Sequence, residues 1–196
     1  KLDGFTNNVY VDLLGNEVTA LVSDEFQNLF NGAYVLVPQS PTMWMDDGTG
    51  NYQSNGNSCY GDSLFEMIDA YVKANPDIDP ERVIVGGCSN GGYMTMELIL
   101  DHPGYFQKAY PICEAFTDAD ITDAQIKALA ESRTGIWFTF ADSDPTVNPK
   151  ATSIPTITRL KKAGADVHYT SYPEVTDTTG RFTNADGTPY TYNGHW

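Results

Sequence analysis

The sequence predicts an α/β fold in three layers, with helices on both faces of a mostly parallel sheet. Short runs rich in β-branched and aromatic residues alternate along the chain with amphipathic segments long enough to form helices. Strands joined through such helices pair in parallel and are covered on both sides. The composition is globular, with 41% hydrophobic and 12% aromatic residues. A length of 196 residues suits one domain over residues 1–196.

The alternating pattern gives each element a place in the chain. Strands are predicted at 33–38, 82–87, 108–113, 136–141 and 167–172. Helices are predicted at 10–30, 63–75, 92–102, 122–132 and 153–164, and Thr122 with Gln125 has the spacing of a capping box. Two long polar segments, 40–58 and 173–194, are predicted to be loops; loops of this length in a compact domain are usually functional or disordered.

The charge of the chain argues against several partners. Eleven Lys and Arg face 26 Asp and Glu, which gives a net charge of −15. Such a charge repels the phosphates of nucleic acids and the surfaces of anionic membranes. No apolar run approaches the roughly 18 residues that span a bilayer. We therefore expect no nucleic acid partner and no membrane insertion.

Cysteine usage gives no sign of a metal or of a disulfide framework. The three cysteines are few and scattered, and the acidic stretch 118–123 lacks the spacing of a calcium loop. We expect neither a metal nor a cofactor. The few lysines and many Asn, Thr, Gly and Tyr are typical of a secreted or cell-surface protein, although residues 1–10 do not resemble a signal peptide.

The stretch Gly-Cys-Ser-Asn-Gly, centred on Ser89, follows a predicted strand and opens a predicted helix. In this context the pattern G-x-S-x-G indicates a nucleophile elbow, a tight turn that projects a serine hydroxyl from the end of a strand. Side chains two positions before and after the serine would collide with their surroundings, so Gly87 and Gly91 remove them, and Gly86 and Gly92 relax the approach further. The alternative is a glycine-rich turn without chemistry.

Two neighbours of Ser89 have predicted roles of their own. The backbone N–H of Asn90 lies at the first turn of the helix, where it can donate to a developing oxyanion. Cys88 is an alternative nucleophile, but it lies off the apex of the turn, and we expect it to be buried packing.

A serine nucleophile needs a base and an orienting acid. Of the three histidines, His195 lies in a loop beyond the last predicted strand, on the side where the elbow opens, and is the predicted base. His102 is expected to cap a helix end, and His168 to pack or face solvent within a strand. Asp144, just past a strand end, is the predicted acid, with Asp142 as the alternative.

The chain resembles α/β-hydrolase esterases related to the prolyl oligopeptidase family, including groups described as feruloyl-esterase-like or as predicted peptidases. The resemblance is carried by "YVLVPQSP" (34–41), by residues 79–113, by "DSDPTV" (142–147) and by "NGHW" (193–196). It covers nearly the whole chain. It implies the same triad, Ser89, Asp144 and His195, that the residues alone indicate.

The resemblance also implies segments that this sequence lacks. Relatives carry upstream strands and a His-Gly-rich loop that supplies a second oxyanion donor, and nothing in residues 1–9 resembles that loop. Relatives continue into a helix after the catalytic histidine, whereas this sequence stops at Trp196. We therefore expect a segment of a longer chain without its N-terminal strands and C-terminal helix, in which a missing segment or a second polypeptide completes the sheet.

The resulting hypothesis is a serine esterase that cleaves carboxylic esters through an acyl-enzyme. Candidate substrates are small-molecule esters and acetyl or feruloyl esters on plant polysaccharide. Gln39 and Trp44 are predicted to line the substrate pocket, because they follow the C-terminal end of a predicted strand; alternatively, Trp44 only anchors its loop. A serine peptidase of prolyl-oligopeptidase type and a catalytically impaired binding module with the same fold stay open.

Overall fold

The computed structural model describes residues 18–195, and the chain divides after Pro41 into two compact units. The described part of the first unit holds a 3-10 helix, Val18–Val22, and helix α1, Asp24–Phe30. The Ser23 hydroxyl caps α1 by accepting the Phe26 N–H at 3.2 Å. Residues 10–17 of the helix predicted at 10–30 lie outside the described residues. The assignment of residues 1–196 to one catalytic domain of a longer chain stays a prediction.

The strand predicted at 33–38 is wrong, because these residues form no strand in the structure. Their β-branched and aromatic side chains favour an extended backbone, and that preference is local. A strand also needs a neighbour that pairs with its amides and carbonyls. Within residues 18–195 no strand pairs with this segment.

The second unit is built on a parallel four-stranded sheet in the order β1-β2-β3-β4. Its strands are β1 (Ile84–Cys88), β2 (Lys108–Ile112), β3 (Gly135–Ala141) and β4 (Val167–Tyr172). Its helices are α2 (Gly61–Ala74), α3 (Asn90–Asp101), α4 (Asp123–Glu131) and α5 (Ser153–Lys162), with short 3-10 helices at Pro80–Arg82 and Asp118–Asp120. The predicted α/β class with a mostly parallel sheet is confirmed. The helical layer predicted on the second face of the sheet is not seen within residues 18–195, where that face exposes large side chains.

The core lies on one face of this sheet. The register aligns Ala109, Ile136 and Val167 in one row, and all three are buried with Phe138 under the helices. Helix α3 packs against β1 and β2 and is buried along nearly its whole length. The alternate residues of the strands form the opposite face, where large side chains are exposed, among them Ile84, Tyr110, Trp137 and Tyr172. No helix within residues 18–195 is both long and apolar enough to cross a bilayer.

The segment 173–194, predicted to be a loop, contains a two-stranded ribbon. Strand β5 (Val175–Thr176) pairs antiparallel with β6 (Thr191–Tyr192), and Thr183 forms a further bridge with Pro189. The buried Asp177 holds the base of the ribbon by accepting the Thr179 hydroxyl at 2.8 Å. The ribbon brings the chain back toward the sheet just before His195.

The loop at 42–58 is organised around a buried carboxylate. Asp46 accepts the Thr42 hydroxyl at 2.7 Å and the amides of Gly48 and Gly50 at 2.8 and 3.0 Å. The hydrogen bond from Thr42 is the main reason that the pKa of Asp46 lies below its ordinary value. This turn fixes the residues on both sides of Asp46, including Trp44 and Tyr52.

Candidate active site

Ser89 stands in a tight turn between β1 and α3. Its backbone has φ 56° and ψ −113°, a conformation that a residue with a side chain adopts at a cost of about 1–3 kcal/mol. Hydrogen bonds on both sides hold it there. Its N–H donates to the Ile112 carbonyl of β2 at 2.8 Å, and its carbonyl accepts the Tyr93 N–H of α3 at 2.9 Å. The predicted strand–turn–helix context of the serine is therefore present.

The glycines two positions either side of Ser89 differ in what they allow. A Cβ on Gly87 would lie 2.5 Å from the carbonyl carbon and oxygen of Gly91, closer than real contacts allow. A Cβ on Gly91 would meet none of residues 18–195 within 4 Å. The prediction that Gly91 removes a colliding side chain is wrong, because its Cβ direction points into open space. The turn needs Gly87 itself and the backbone of Gly91.

The outer glycines are also constrained. A Cβ on Gly92 would lie within 2.9 Å of Glu114 and of the Ile112 carbonyl oxygen, so helix α3 can approach β2 only with glycine at this position. A Cβ on Gly86 would lie 2.1–2.4 Å from three ring carbons of Tyr110 on the neighbouring strand, a clash that the ring could relieve only by moving. These contacts set the distance between the nucleophile turn and β2.

His195 lies between Ser89 and Asp144. Its Nε2 is 3.0 Å from the Ser89 Oγ, and its Nδ1 is 2.8 Å from Oδ2 of Asp144. The side chains of His195 and Asp144 are 3% and 1% exposed, so water does not compete for the bond between them. Because the Asp144 carboxylate can only accept a hydrogen bond, the ring proton of neutral His195 is assigned to Nδ1. Nε2 is then free of a proton and accepts the hydrogen bond of the Ser89 hydroxyl.

The Asp144 carboxylate is held on both of its oxygens. Oδ1 accepts the N–H groups of Thr146 and Val147 at 2.8 and 2.9 Å, while Oδ2 faces His195. The alternative, Asp142, is exposed, and its N–H donates to the Tyr172 carbonyl of β4. The structure therefore brings Asp144, and not Asp142, to the histidine.

The backbone before His195 explains how the ring reaches this position. Gly194 has φ 88°, and a Cβ on it would lie 2.8 Å from the Ser143 hydroxyl. The His195 N–H donates to Oδ1 of Asn193 at 3.0 Å, which closes a tight local turn. Cys113, directly after β2, donates its Sγ hydrogen to the His195 carbonyl at 3.3 Å. No pattern along the sequence indicates this last contact.

The other two histidines have partners elsewhere. His102 is the C-terminal cap residue of α3, at the helix end where it was expected. Its ring stacks on Phe65 with centroids 3.4 Å apart. His168 is exposed on β4 and pairs with Asp166 at 3.2 Å.

The residues predicted to bind the oxyanion and the substrate lie in different parts of the chain. Asn90 is the first residue of α3, so its N–H is among those without an intrahelical acceptor, and its Oδ1 accepts the Met45 N–H at 3.2 Å. That bond ties the neighbouring Trp44, half-buried with its ring edge-on to Tyr60, to the nucleophile turn. Gln39 is exposed in the first unit. The oxyanion and substrate-binding roles stay predictions.

Two buried carboxyl groups of the second unit have no signature in the sequence. Glu114, two residues after β2, accepts the Phe116 N–H at 2.8 Å and the Ser153 hydroxyl at 2.9 Å, and burial raises its pKa to about 8. Glu97 is buried on α3, and burial raises its pKa to about 7. Each lies on or beside an element whose apolar residues predict that it belongs to the core. That pattern does not predict that the glutamate is buried too.

Three potential metal ligands meet at the site. Single atoms of Cys113, Asp144 and His195 lie within 4.8 Å of one another. The Asp144–His195 hydrogen bond and the bond from Cys113 to the His195 carbonyl account for this closeness without an ion.

The parallel sheet, the strained serine turn and the linked Ser, His and Asp side chains define an α/β-hydrolase. The sequence profile of the prolyl oligopeptidase family matches residues 42–139, which is half of the chain. The chain belongs to this family of serine hydrolases.

Individual relatives agree with this assignment. Poly(3-hydroxyalkanoate) depolymerase C of Paucimonas lemoignei is 30% identical over 200 residues, which cover 82% of this chain and 46% of the depolymerase. The crystal structure of a thermostable esterase superposes with a TM-score of 0.64 at 26% identity, over 78% of this chain and 38% of the esterase.

An acylaminoacyl peptidase of Pyrococcus horikoshii has a TM-score of 0.50 at 15% identity, over 62% of this chain and 24% of the peptidase, a likeness of fold alone. The chain spans less than half the length of each of these three proteins.

Proposed function

We propose that this protein is a carboxylic ester hydrolase that works through an acyl-enzyme on Ser89. The observation that carries the proposal is the hydrogen-bonded series from the half-buried Ser89 hydroxyl through the buried His195 to the buried Asp144, with distances of 3.0 and 2.8 Å. A serine hydroxyl is a weak nucleophile until a base takes its proton, and this arrangement supplies the base and its orienting acid.

In the first half-reaction the Ser89 Oγ attacks the ester carbonyl carbon while Nε2 of His195 takes the hydroxyl proton. Asp144 holds the Nδ1–H and stabilises the imidazolium cation that forms. The imidazolium then gives its proton to the leaving alkoxide, which departs as an alcohol and leaves the acyl group on Ser89. In the second half-reaction His195 activates water by the same route, and the acid product leaves.

The developing oxyanion needs donors near Ser89. The Asn90 N–H lies at the N-terminus of the 12-residue helix α3, whose partial positive charge favours an anion. A donor of this kind contributes about 10²–10³ in rate. The Asn90 N–H is held in place by the helix that begins at this residue, and the Asn90 side chain also accepts the Met45 N–H.

Two relatives, at 30% and 26% identity, favour an ester substrate over a peptide. The depolymerase at 30% identity acts, by its name, on a poly(3-hydroxyalkanoate), and the structural relative at 26% identity is an esterase. The peptidase relative, at 15% identity, supports the fold alone. We further propose that the substrates include acetyl or feruloyl esters, free or linked to polysaccharide, and that the protein works outside the cell.

Aryl ester turnover tests the reaction class. p-Nitrophenyl acetate should be hydrolysed by the protein and not by Ser89→Ala, while Ser63→Ala, which changes an exposed helix serine, should match the parent rate. A fluorophosphonate should label Ser89, located by peptide mass. Activity that survives Ser89→Ala would refute the proposal. Faster cleavage of a matched peptide amide than of the ester would favour the peptidase, and an unlabelled Ser89 would favour a binding module.

A further inference from the structure

Two cysteine thiols meet beneath the nucleophile turn. The Sγ atoms of Cys88 and Cys113 are 3.4 Å apart, and both cysteines are free. Cys88 ends β1 and Cys113 directly follows β2, and the parallel register pairs Cys88 with Ile112, the residue before Cys113. The pair is therefore held by two neighbouring strands of the sheet and not by a mobile loop.

One of the two thiols lies where a small reagent can reach it. Cys88 is half-buried, whereas Cys113 is buried. Successive residues of a strand point to opposite faces. Gly87 faces α3, so Cys88 points to the other face of the sheet, where Tyr110 and Ile84 are exposed. Cys88 is the more accessible of the two thiols, which favours Cys88 as the group that attacks the oxidant once it is deprotonated.

Both cysteines are connected to the proposed catalytic residues. Cys88 is the residue immediately before Ser89. The Cys113 thiol donates to the backbone carbonyl of His195 at 3.3 Å. A covalent change at this pair therefore acts on the backbone of both the nucleophile and the base.

We propose that Cys88 and Cys113 are an oxidation site that forms a disulfide with a small-molecule disulfide as oxidant, and that this bond slows hydrolysis at Ser89. The effect on hydrolysis rests on the proposed function. The Cys88 thiolate attacks one sulfur of the oxidant and releases one equivalent of reduced thiol. The Cys113 thiolate then attacks the Cys88 sulfur of the mixed disulfide, forms the protein disulfide and releases the second thiol. Two protein thiols are oxidised, one oxidant disulfide is reduced, and the two protons pass to the released thiols.

The disulfide changes the site in two ways. Its sulfurs must close from 3.4 Å to about 2.05 Å, which draws the end of β1 toward β2. Cys113 also loses the hydrogen that it donates to the His195 carbonyl. A displacement of about 1 Å at a reacting group can cost about 10²-fold in rate. We expect the oxidised protein to turn over ester about 10- to 100-fold more slowly and to recover with dithiothreitol.

The test uses Cys59→Ser protein, in which the exposed third cysteine is removed and only this pair is left. After treatment with 2-hydroxyethyl disulfide, non-reducing peptide mass analysis should find the peptides of Cys88 and Cys113 linked. The p-nitrophenyl acetate rate should fall and return on reduction. Cys88→Ala in the same background cannot form the bond, so oxidant should leave its rate unchanged.

Three outcomes overturn the inference. The first is that no linked peptide is found, and the second is that the linked protein hydrolyses ester as fast as the protein before oxidation. The third is that the oxidant lowers the rate of the Cys88→Ala variant by the same factor. The mass measurement does not depend on catalysis. A different result refutes the proposed function instead: the cysteines link on oxidation, but the protein before oxidation neither hydrolyses ester nor reacts with fluorophosphonate. That result also removes the effect on hydrolysis that is assigned to the disulfide.

Discussion

A methyl group on Gly87 should disable the turn at Ser89, whereas the same group on Gly91 should not. Both glycines belong to the G-x-S-x-G stretch, and each flanks the serine by two positions. A Cβ on Gly87 meets the carbonyl group of Gly91 at 2.5 Å, while a Cβ on Gly91 meets nothing within 4 Å in the described part of the chain. Comparing Gly87→Ala with Gly91→Ala therefore tests whether the turn needs glycine for lack of space, or needs it at every position of the G-x-S-x-G pattern.

The size of the effect follows from the clash. Ordinary contacts begin at 3.4 Å, so the end of β1 and the start of α3 must part by about 0.9 Å to accept the methyl group. Neither side can yield by a rotamer change, because the atoms that collide are backbone. Overpacking of this kind costs about 1–3 kcal/mol of the free energy of unfolding. A shift of that length at the Ser89 hydroxyl should lower kcat by about 10²-fold.

Urea unfolding and p-nitrophenyl acetate turnover measure the two effects separately. Gly91→Ala should keep kcat within a few-fold of the parent and gain up to about 1 kcal/mol, because alanine replaces glycine inside a helix. Equal kcat for the two variants would refute the steric account of the turn. A Gly87→Ala protein that is destabilised but fully active would place the shift in α3, away from the hydroxyl.

Three further changes test other parts of the structure. Asp144→Asn should lower kcat about 10⁴-fold, because an amide facing Nδ1 favours the wrong tautomer of His195; a loss below tenfold in ester turnover would contradict this. Arg159→Lys should cost about 1–3 kcal/mol in urea unfolding, since the single ammonium of lysine cannot span the acceptors that the two terminal nitrogens of Arg159 reach, namely Asp118, Asp123 and the Ile121 carbonyl; unchanged stability would contradict it. Burial raises the pKa of Glu97 from 4.5 to about 7 in the folded state, so the folded protein keeps this proton at a pH where the unfolded chain has lost it. The resulting contribution to the free energy of unfolding is complete below pH 4.5 and is lost as the pH rises through 7. The unfolding free energy should therefore fall less steeply between pH 5 and 7.5 in Glu97→Gln than in the parent, and equal slopes would exclude Glu97 as a cause.

The positions of the site residues were predictable because each depends on a short stretch of chain. Ser89 stands between a β-branched run and an amphipathic helix, and the strand predicted at 167–172 matches β4. Carboxyl ends of parallel strands meet at one edge of a sheet, so residues that follow β1 and β3 converge there. Local patterns and this one rule sufficed to nominate Ser89, Asp144 and His195.

Features set by register or by the surroundings could not be predicted in the same way. The approach of Cys113 to Cys88 depends on how β1 and β2 align, and no spacing along the sequence encodes it. The open space beside Gly91 depends on the direction of a single Cβ. Residues 33–38 have a strand-forming composition, and their conformation is decided by neighbours that a local pattern does not reveal.

The strands of the second unit are stacked side by side in the order in which they occur along the chain. The hydroxyl sits at the tip of the first strand, and the imidazole that contacts it comes 106 positions later, after the fourth. During synthesis the two groups can meet only when all four strands and the final ribbon have emerged. Covalent titration of Ser89 therefore counts only molecules in which the whole sheet and the ribbon have folded. Circular dichroism would also detect chains in which only the early strands and helices have formed.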